Sequence, residues 1–592
     1  MPPDSLPNWD LADLYPGTDS AQLAADLDRA DRQARDFETR LAGKLASISA
    51  AQLAEAIAEY EGIEEILGRV MSYAQLLFAG DSTNPAIGRF YQSMTERVTA
   101  ISSHLIFFTL EINRIDEAAL APKLRDKALA RWQPWLRDLR VFLPHQLSDE
   151  AEKLLHEKEV TGRTAWTRLF DETTASMRVR VGAEELTVSA ALNKLSDADR
   201  AVREAAGRGV GEAFGRNIRL FALITNTLAK DKEIVDTWRH YPRPESSRNR
   251  GNMVEDEVVD ALVAAVVADY PRLAHRYYAM KARWLGLEKL QHWDRNAPLP
   301  GDDDRRIAWP EARQTVLAAY GAFSPELAAV GARFFERPWI DAGLRPGKAS
   351  GAFAHPTVPS AHPYLLLNYH GRTRDVMTLA HELGHGVHQV LAADQGYLMS
   401  GTPLTLAETA SVFGEMLTFR ALLDAETNKS RRRIMLASKV EDMLNTVVRQ
   451  IAFYRFEQKL HAERRQGEVV AERIAEIWLD VQRESLGPAF EFTPEYGVFW
   501  SYVPHFIHSP FYVYAYAFGD CLVNALYDVY RQSAKEGGQP GFVEKYLAML
   551  KAGGTLRHKE LLAPFGLDAS DPAFWRRGLD IIAGFIDELA AQ

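Results

Sequence analysis

The run His381-Glu382-Leu383-Gly384-His385-Gly386-Val387-His388 sets two imidazoles four residues apart with a carboxylate beside the first. On a helix, positions i and i+4 share a face, so His381 and His385 can hold one divalent metal while Glu382 sits about 100° round, beside an open coordination position. A carboxylate placed there serves as the general base of metal-assisted hydrolysis. Val376, Leu379 and Ala380, in a stretch from Arg374 that contains no helix breaker, predict a half-buried helix leading into the motif. The competing reading is a surface helix with two solvated imidazoles.

A catalytic zinc usually takes three protein ligands and keeps one position for water, so a third donor is required. A third histidine six residues after His385 is excluded, because that residue is Leu391. The stretch from Pro403 to Glu415 offers a carboxylate instead. Glu408 is the best candidate, lying among small and apolar residues with Ser411 and Glu415 on its helical face as partners for the ligands. Thr405-Leu406-Ala407-Glu408 also reads as a capping box, in which Glu408 bonds its own helix start. His388 shares the face of His385 and is read as a supporting or core residue, since two ligands on one turn leave little room for a third.

A second cluster runs from Tyr502 to Tyr516. Ser509 followed by Pro510 predicts the N-cap and first residue of a helix, with His505 and His508 in its approach and Tyr512 and Tyr516 on one face. Amide hydrolysis builds negative charge on the former carbonyl oxygen, and phenol or imidazole donors in a dry cleft stabilise it by several kcal/mol. Tyrosines at helical spacing serve equally as core and rim residues.

Together these residues resemble oligoendopeptidase F of the M3, thimet oligopeptidase-like, metallopeptidases. The resemblance covers nearly the whole chain. It starts at Trp9-Asp10-Leu11-Ala12-Asp13-Leu14-Tyr15 and continues through Gly347 to Phe353, Leu379 to His385, Glu408 to Ser411 and Glu415, ending in His505 to Tyr516. It implies that His381, His385 and Glu408 hold one Zn²⁺ per chain and that Glu382 is the general base. His505 and one or more of Tyr512, Tyr514 and Tyr516 are implied as carbonyl and oxyanion donors, although the thimet-type relatives carry a longer glycine-rich loop in that stretch. The implied fold is mainly α: a large two-part helical zincin-type metallopeptidase with a small β-sheet next to the metal-binding helix and a deep substrate channel. The implied activity is zinc-dependent hydrolysis of internal bonds in short oligopeptides. An exopeptidase of the dipeptidyl carboxypeptidase kind is the alternative within the same superfamily. An inactive peptide-binding protein is a third reading, against which the intact Glu382 argues.

Composition is compatible with this. At 592 residues, 47% hydrophobic and 25% charged, the chain can form two or more cores. A net charge of -11 argues against a nucleic-acid partner, because phosphate binding needs a basic surface. Apolar runs such as Leu105 to Leu110 fall far short of a membrane span. The one cysteine, Cys521, permits no intramolecular disulfide, and the start Met1-Pro2-Pro3-Asp4-Ser5 lacks the features of a signal peptide, so a cytoplasmic protein is expected.

The expected domains are an N-terminal helical domain over 1–195, with a β-hairpin between Ser176 and Ser189, and a catalytic domain over 196–592. Ala297 to Pro310 reads as a surface loop. Tyr364 to Tyr369 reads as a strand just before the metal helix. Gly351-Ala352-Phe353 and Leu365 to Asn368 are the segments whose edge could pair with an extended peptide.

Overall fold

Ser20, Ser49 and Asn84 start the first three long helices, Ala21–Leu41, Ala50–Gly80 and Pro85–Ser102, by accepting from the N–H groups of Leu23, Gln52 and Ala86. Gln52 returns the bond to the Ser49 N–H, closing a capping box, and Pro85 sits in a first turn where its missing donor costs nothing. In the first helix Leu23, Leu27, Ala30, Ala34 and Phe37 recur every three or four residues, and all are buried. The same logic extends down the chain, so the protein is mostly helical, with two small sheets among the described residues.

The computed structural model describes residues 6–159, 161–301 and 305–592. The start Met1 to Ser5, and residues 302–304 of the expected Ala297 to Pro310 loop, lie outside the described residues; the rest of that loop is irregular backbone as far as Ala308, while Trp309 and Pro310 already open the helix Trp309–Phe323. Among the described residues no helix is long and apolar enough to cross a membrane.

Packing divides the chain into two compact units. The first comprises Met1–Leu143, Asp304–Ala425 and Tyr530–Gly566; the second comprises Pro144–Asp303, Glu426–Val529 and Leu567–Gln592. This differs from the division expected at residue 195. A linear split assumes that sequence neighbours share a core, whereas an amphipathic helix is satisfied by any complementary face. In the first unit Gln539–Lys551 packs on the motif helix Thr373–Ala392, and in the second Pro572–Ala590 packs on Asp256–Asp269 and Lys429–Thr446.

The expected hairpin is present. Strands β1 (Val179–Val181) and β2 (Glu184–Leu186) pair antiparallel, and Gly182 in the turn takes φ +62°. The sheet that matters for function has three strands, β3 (Ile340–Asp341), β4 (Phe353–His355) and β5 (Tyr364–Leu366), in the order β3-β5-β4. β3 runs parallel to β5 and β4 antiparallel to it. The buried Lys348 ties this sheet together, its ammonium donating to Asp341 Oδ1 at 2.8 Å and to the Leu367 carbonyl at 2.6 Å. β4 and β5 both lie against the motif helix.

Candidate active site

The motif helix Thr373–Ala392 is anchored at its start by Asp375, whose Oδ2 accepts from the N–H groups of His370 and Arg372, each at 2.9 Å. Val376, Leu379, Ala380, Leu383 and Val387 bury its inner face. His381 and His385, one turn apart, bring their ring centroids to 4.9 Å.

The carboxylate opposite comes from a break between two helices. Leu404–Ala407 forms a single turn that ends on Glu408, and Thr409–Ala425 follows directly. The cap of that short turn is Pro403, and Thr405 lies inside it, so the capping-box arrangement is not the one adopted. Glu408 Oε2 lies 3.3 Å from His381 Nε2 and 3.4 Å from His385 Nε2. Ligand atoms of the three residues all fall within 4.8 Å of one another. Ser411 Oγ donates to Glu408 Oε2 at 2.6 Å. Glu415 Oε2 is 3.2 Å from His381 Nδ1, a contact that orients the ring with Nε2 toward Glu408.

This convergence depends on a close helix crossing. A Cβ at Gly384 would lie 2.6 Å from the Ala410 carbonyl oxygen and from the Ser411 Cα, so only glycine lets the two helices approach this far. Tyr320, fully buried, donates its hydroxyl to the Ala380 carbonyl at 2.6 Å and occupies the space that a side chain at Gly414 of the second helix would fill, so it ties the two helices together. Nothing in the sequence pairs Tyr320 with the motif. Gly384 was legible, as a small residue inside the motif at the position facing a second helix.

The electrostatics are those of a cation site. Burial disfavours protonation of His381, but the Glu415 and Glu408 carboxylates outweigh it and raise the imidazole to about 9. Burial pushes His385 down to about 4. Glu382 is only 7% exposed. Burial raises its carboxyl to about 7, with His381 pulling it down and Glu408 adding to the rise. Two imidazole nitrogens and one carboxylate oxygen are a donor set that fits zinc and neighbouring divalent metals. His388 stays outside this cluster. It is buried, its Nε2 3.4 Å from Thr402 Oγ1, and with His385 it lines a cavity of about 570 Å³.

In the order β3-β5-β4 the two outer strands are edges. β5 is the central strand, so Leu365 to Leu366 are paired on both sides and cannot receive a further strand. That corrects the expectation for Leu365 to Asn368. β4 is an edge strand. Leu365 sends its N–H to the Trp339 carbonyl, away from β4, so its opposite residue Ala354 belongs to a non-hydrogen-bonded pair and turns its own N–H and C=O to the open edge. The Ala354 amide faces Glu382 and helps to lower its pKa.

The tyrosine cluster lies in the second unit and is built differently from the expectation. The helix there starts at Tyr514, not at Ser509, and His505–His508 is itself a helical turn. Between them Phe511 adopts φ +59°, which breaks the chain direction and leaves Tyr512 outside the helix. Tyr512 and Tyr516 nevertheless meet, ring centroids 5.2 Å apart, and His505 Nε2 lies 3.3 Å from the Tyr516 hydroxyl. Tyr514 points elsewhere. It is fully buried, and its hydroxyl accepts from Asn252 Nδ2 at 2.9 Å.

Known proteins resemble this chain in sequence and in fold. Two family models match, Peptidase family M3 over residues 326–581 and Oligopeptidase F over residues 111–178, and together they span more than half of the chain. The oligopeptidase PepF of Bacillus subtilis is 28% identical over 577 residues, covering 95% of this chain and 84% of its own. An oligoendopeptidase F homolog of Borreliella burgdorferi is 27% identical over 553 residues, with 90% of each chain covered. The crystal structure of oligoendopeptidase-F from Enterococcus faecium superposes with a TM-score of 0.70 at 22% identity, over 96% of this chain and 97% of its own, a likeness of fold. The chain belongs to peptidase family M3. Within that family it is a metallopeptidase of the oligoendopeptidase F type.

Proposed function

We propose that this protein is a zinc-dependent endopeptidase that hydrolyses internal bonds of short oligopeptides. The observation that carries the reading is the convergence of His381 Nε2, His385 Nε2 and Glu408 Oε2 within 4.8 Å, beside the buried Glu382. His381, His385 and Glu408 would hold one Zn²⁺, with Ser411 and Glu415 orienting the ligands. Bound zinc would supply Lewis acidity, polarising a carbonyl and lowering the pKa of water toward about 7.

Glu382 then accepts the proton of the attacking water and returns it to the leaving amine nitrogen. Its low exposure keeps bulk water from competing for that proton. The outward-facing C=O of Ala354 on the β4 edge can pair with an extended substrate, so main-chain hydrogen bonding would hold peptides of many sequences. His505, Tyr512 and Tyr516 are the donors to the substrate carbonyl as it takes on charge. The names of the relatives support internal cleavage over an exopeptidase activity. A single buried cysteine, Cys521, fits a reducing compartment, so we assign the enzyme to the cytoplasm.

The test is Glu382→Gln. The variant should keep one zinc per chain, because the ligands are untouched, while turnover falls by roughly 10²- to 10⁴-fold. Full metal with turnover within tenfold of the parent removes Glu382 from the mechanism. Fluorogenic peptides of graded length, blocked at either end, decide the cleavage mode: an endopeptidase cuts the doubly blocked peptides, an exopeptidase does not.

A further inference from the structure

The short helix Ser246–Gly251 is tied firmly into the second unit. Ser246 Oγ donates to Asp256 Oδ2 at 2.7 Å and Asn249 Nδ2 to Asp256 Oδ1 at 2.8 Å, so one carboxylate at the start of the helix Asp256–Asp269 fastens both. From this base two side chains reach the tyrosine stretch. Asn252 Nδ2 donates to the Tyr514 hydroxyl at 2.9 Å. Half-buried Arg248 sends its Nε–H to the Pro510 carbonyl at 3.2 Å, while its guanidinium carbon lies 5.8 Å from the centroid of the Tyr512 ring.

Other long side chains grip the same turn, but only by its backbone. Arg163 donates to the His508 carbonyl at 2.6 Å and to that of Ile507 at 3.3 Å, and Glu457 accepts from the Phe511 N–H. Of these three, Arg248 is the one that also meets a tyrosine ring. That ring has few other constraints. Among the described residues no hydrogen bond engages the Tyr512 hydroxyl, in contrast to that of Tyr514. The ring is set by Tyr516 at 5.2 Å and His505 at 6.2 Å between centroids, and by Arg248. A cation within about 6 Å of a ring centroid is attracted to the ring face, and here the Nε bond fixes where that cation stands. Arg248 and Pro510 also line a cavity of about 800 Å³, so open space and not a packed side chain borders the contact on that side.

We infer that Arg248 is a positioning residue that holds the Tyr512 ring where its hydroxyl can meet the substrate carbonyl. The inference rests on the reading above that Tyr512 is a carbonyl donor. Such a donor must stand within hydrogen-bond reach of the developing charge, and a misplacement of about 1 Å can cost on the order of 10²-fold in rate. An uncommitted hydroxyl is free to donate to substrate, but the same freedom lets the ring swing. A guanidinium pinned to the Pro510 carbonyl limits that swing without occupying the hydroxyl. Arginine suits the task because its Nε–H and its delocalised, weakly hydrated cation act at two places at once, whereas lysine has a single ammonium.

The experiment uses the full, zinc-loaded chain and a doubly blocked fluorogenic peptide. The parent, Arg248→Gln, Tyr512→Phe and the double variant are compared. Arg248→Gln should lower kcat by roughly 3- to 30-fold, the range that a cation–ring contact spans. KM should stay within about twofold and zinc content should stay at the parent level. In the Tyr512→Phe background the same change should lower kcat by less than about twofold, because the ring being positioned no longer carries a hydroxyl. Should Arg248→Gln fail to fold, Arg248→Lys carries the same cycle. Placement of the ring is read separately by fluorine NMR, with meta-fluorotyrosine in place of Tyr512: the line of the parent should shift or split on Arg248→Gln. A line that the folded arginine variants leave unchanged, an equal fold loss of kcat with Tyr512 present and replaced, or an effect on KM alone overturns the inference. Full turnover of Tyr512→Phe is instead a failure of the donor reading, and a parent that cuts no peptide is a failure of the peptidase reading. In either case the fluorine line, which needs no turnover, decides whether Arg248 places the ring.

Discussion

Glu457 accepts a hydrogen bond from the backbone N–H of Phe511 at 2.8 Å. Glu457 is 1% exposed, and Phe511, fully buried at φ +59°, is a bulky residue in a backbone region that L side chains rarely adopt. The strained turn that sets Tyr512 against Tyr516 is thus held by a buried carboxyl. Glu457→Ala should leave that N–H without an acceptor and cost about 1–3 kcal/mol in stability. Turnover should fall with it, whereas Glu457→Gln, which keeps an acceptor oxygen, should stay near the parent. Parent-like melting and kinetics for the alanine variant would free the turn from this contact.

The same carboxyl predicts a pH dependence. Burial pushes Glu457 up to about 8 from its ordinary 4.5, against the Phe511 amide, Arg248 and Lys232, with Glu245 adding to the rise. A group whose folded pKa is raised contributes stability that is fully present below the unfolded value and lost as pH rises through the folded one. Thermal melts of the parent should therefore decline between about pH 4.5 and about pH 8, and the Glu457→Gln variant should decline less over the same window. Identical slopes for the two proteins would mean that Glu457 is ionised in the fold.

Gly384→Ala should damage the site without touching a ligand. Its methyl would meet the Ala410 carbonyl and the Ser411 Cα at 2.6 Å, and both are backbone atoms that cannot turn aside. Overpacking of this kind costs about 1–3 kcal/mol or more. Because the helix that follows Glu408 must move, zinc affinity should drop together with melting temperature. Unchanged metal binding would show that Glu408 reaches the histidines from a more distant crossing.

Glu408 and Glu415 should separate by their effects on metal. Glu408→Ala removes a donor and should abolish tight zinc binding. Glu415→Ala removes only the partner of His381 Nδ1 and should weaken it by roughly 10- to 100-fold. Competition with a calibrated chelator measures both. Equal losses would make Glu415 a ligand in its own right.

His505, Tyr512 and Tyr516 should act on turnover and not on zinc content. A donor to the oxyanion is used mainly in the transition state, so Phe at 512 or 516 should lower kcat far more than it raises KM. His505→Ala should cost on the order of 10²-fold. Tyr514→Phe breaks the bond with Asn252 and should affect stability more than kcat. Turnover within a few fold for His505→Ala and for Phe at both 512 and 516 would reduce the cluster to packing.

The local chemistry was legible in the linear chain, because it depends on spacing alone. Two histidines four apart with Glu382 between them project to one side of any helix, and no tertiary contact is needed to predict that pairing. Alternation about a glycine turn likewise predicted the β1–β2 hairpin. Glu408 could be singled out by type and neighbourhood, but two readings of Thr405 to Glu408 survived until the helix was seen to start at Leu404 and to break at Glu408 itself.

Tertiary structure decided the rest. Ser509 and Pro510 carry a strong helix-start signal, yet the buried Glu457 and the Phe511 turn override it and move the start to Tyr514. Leu365 and Ala354 look alike as strand residues; only the order β3-β5-β4 makes one central and the other an edge. Tyr320 on Ala380 and Gly384 against Ala410 join positions far apart in sequence. Spacing fixes what a residue's own helix or strand can present, but which distant surface it meets depends on how faces from separated segments are buried together.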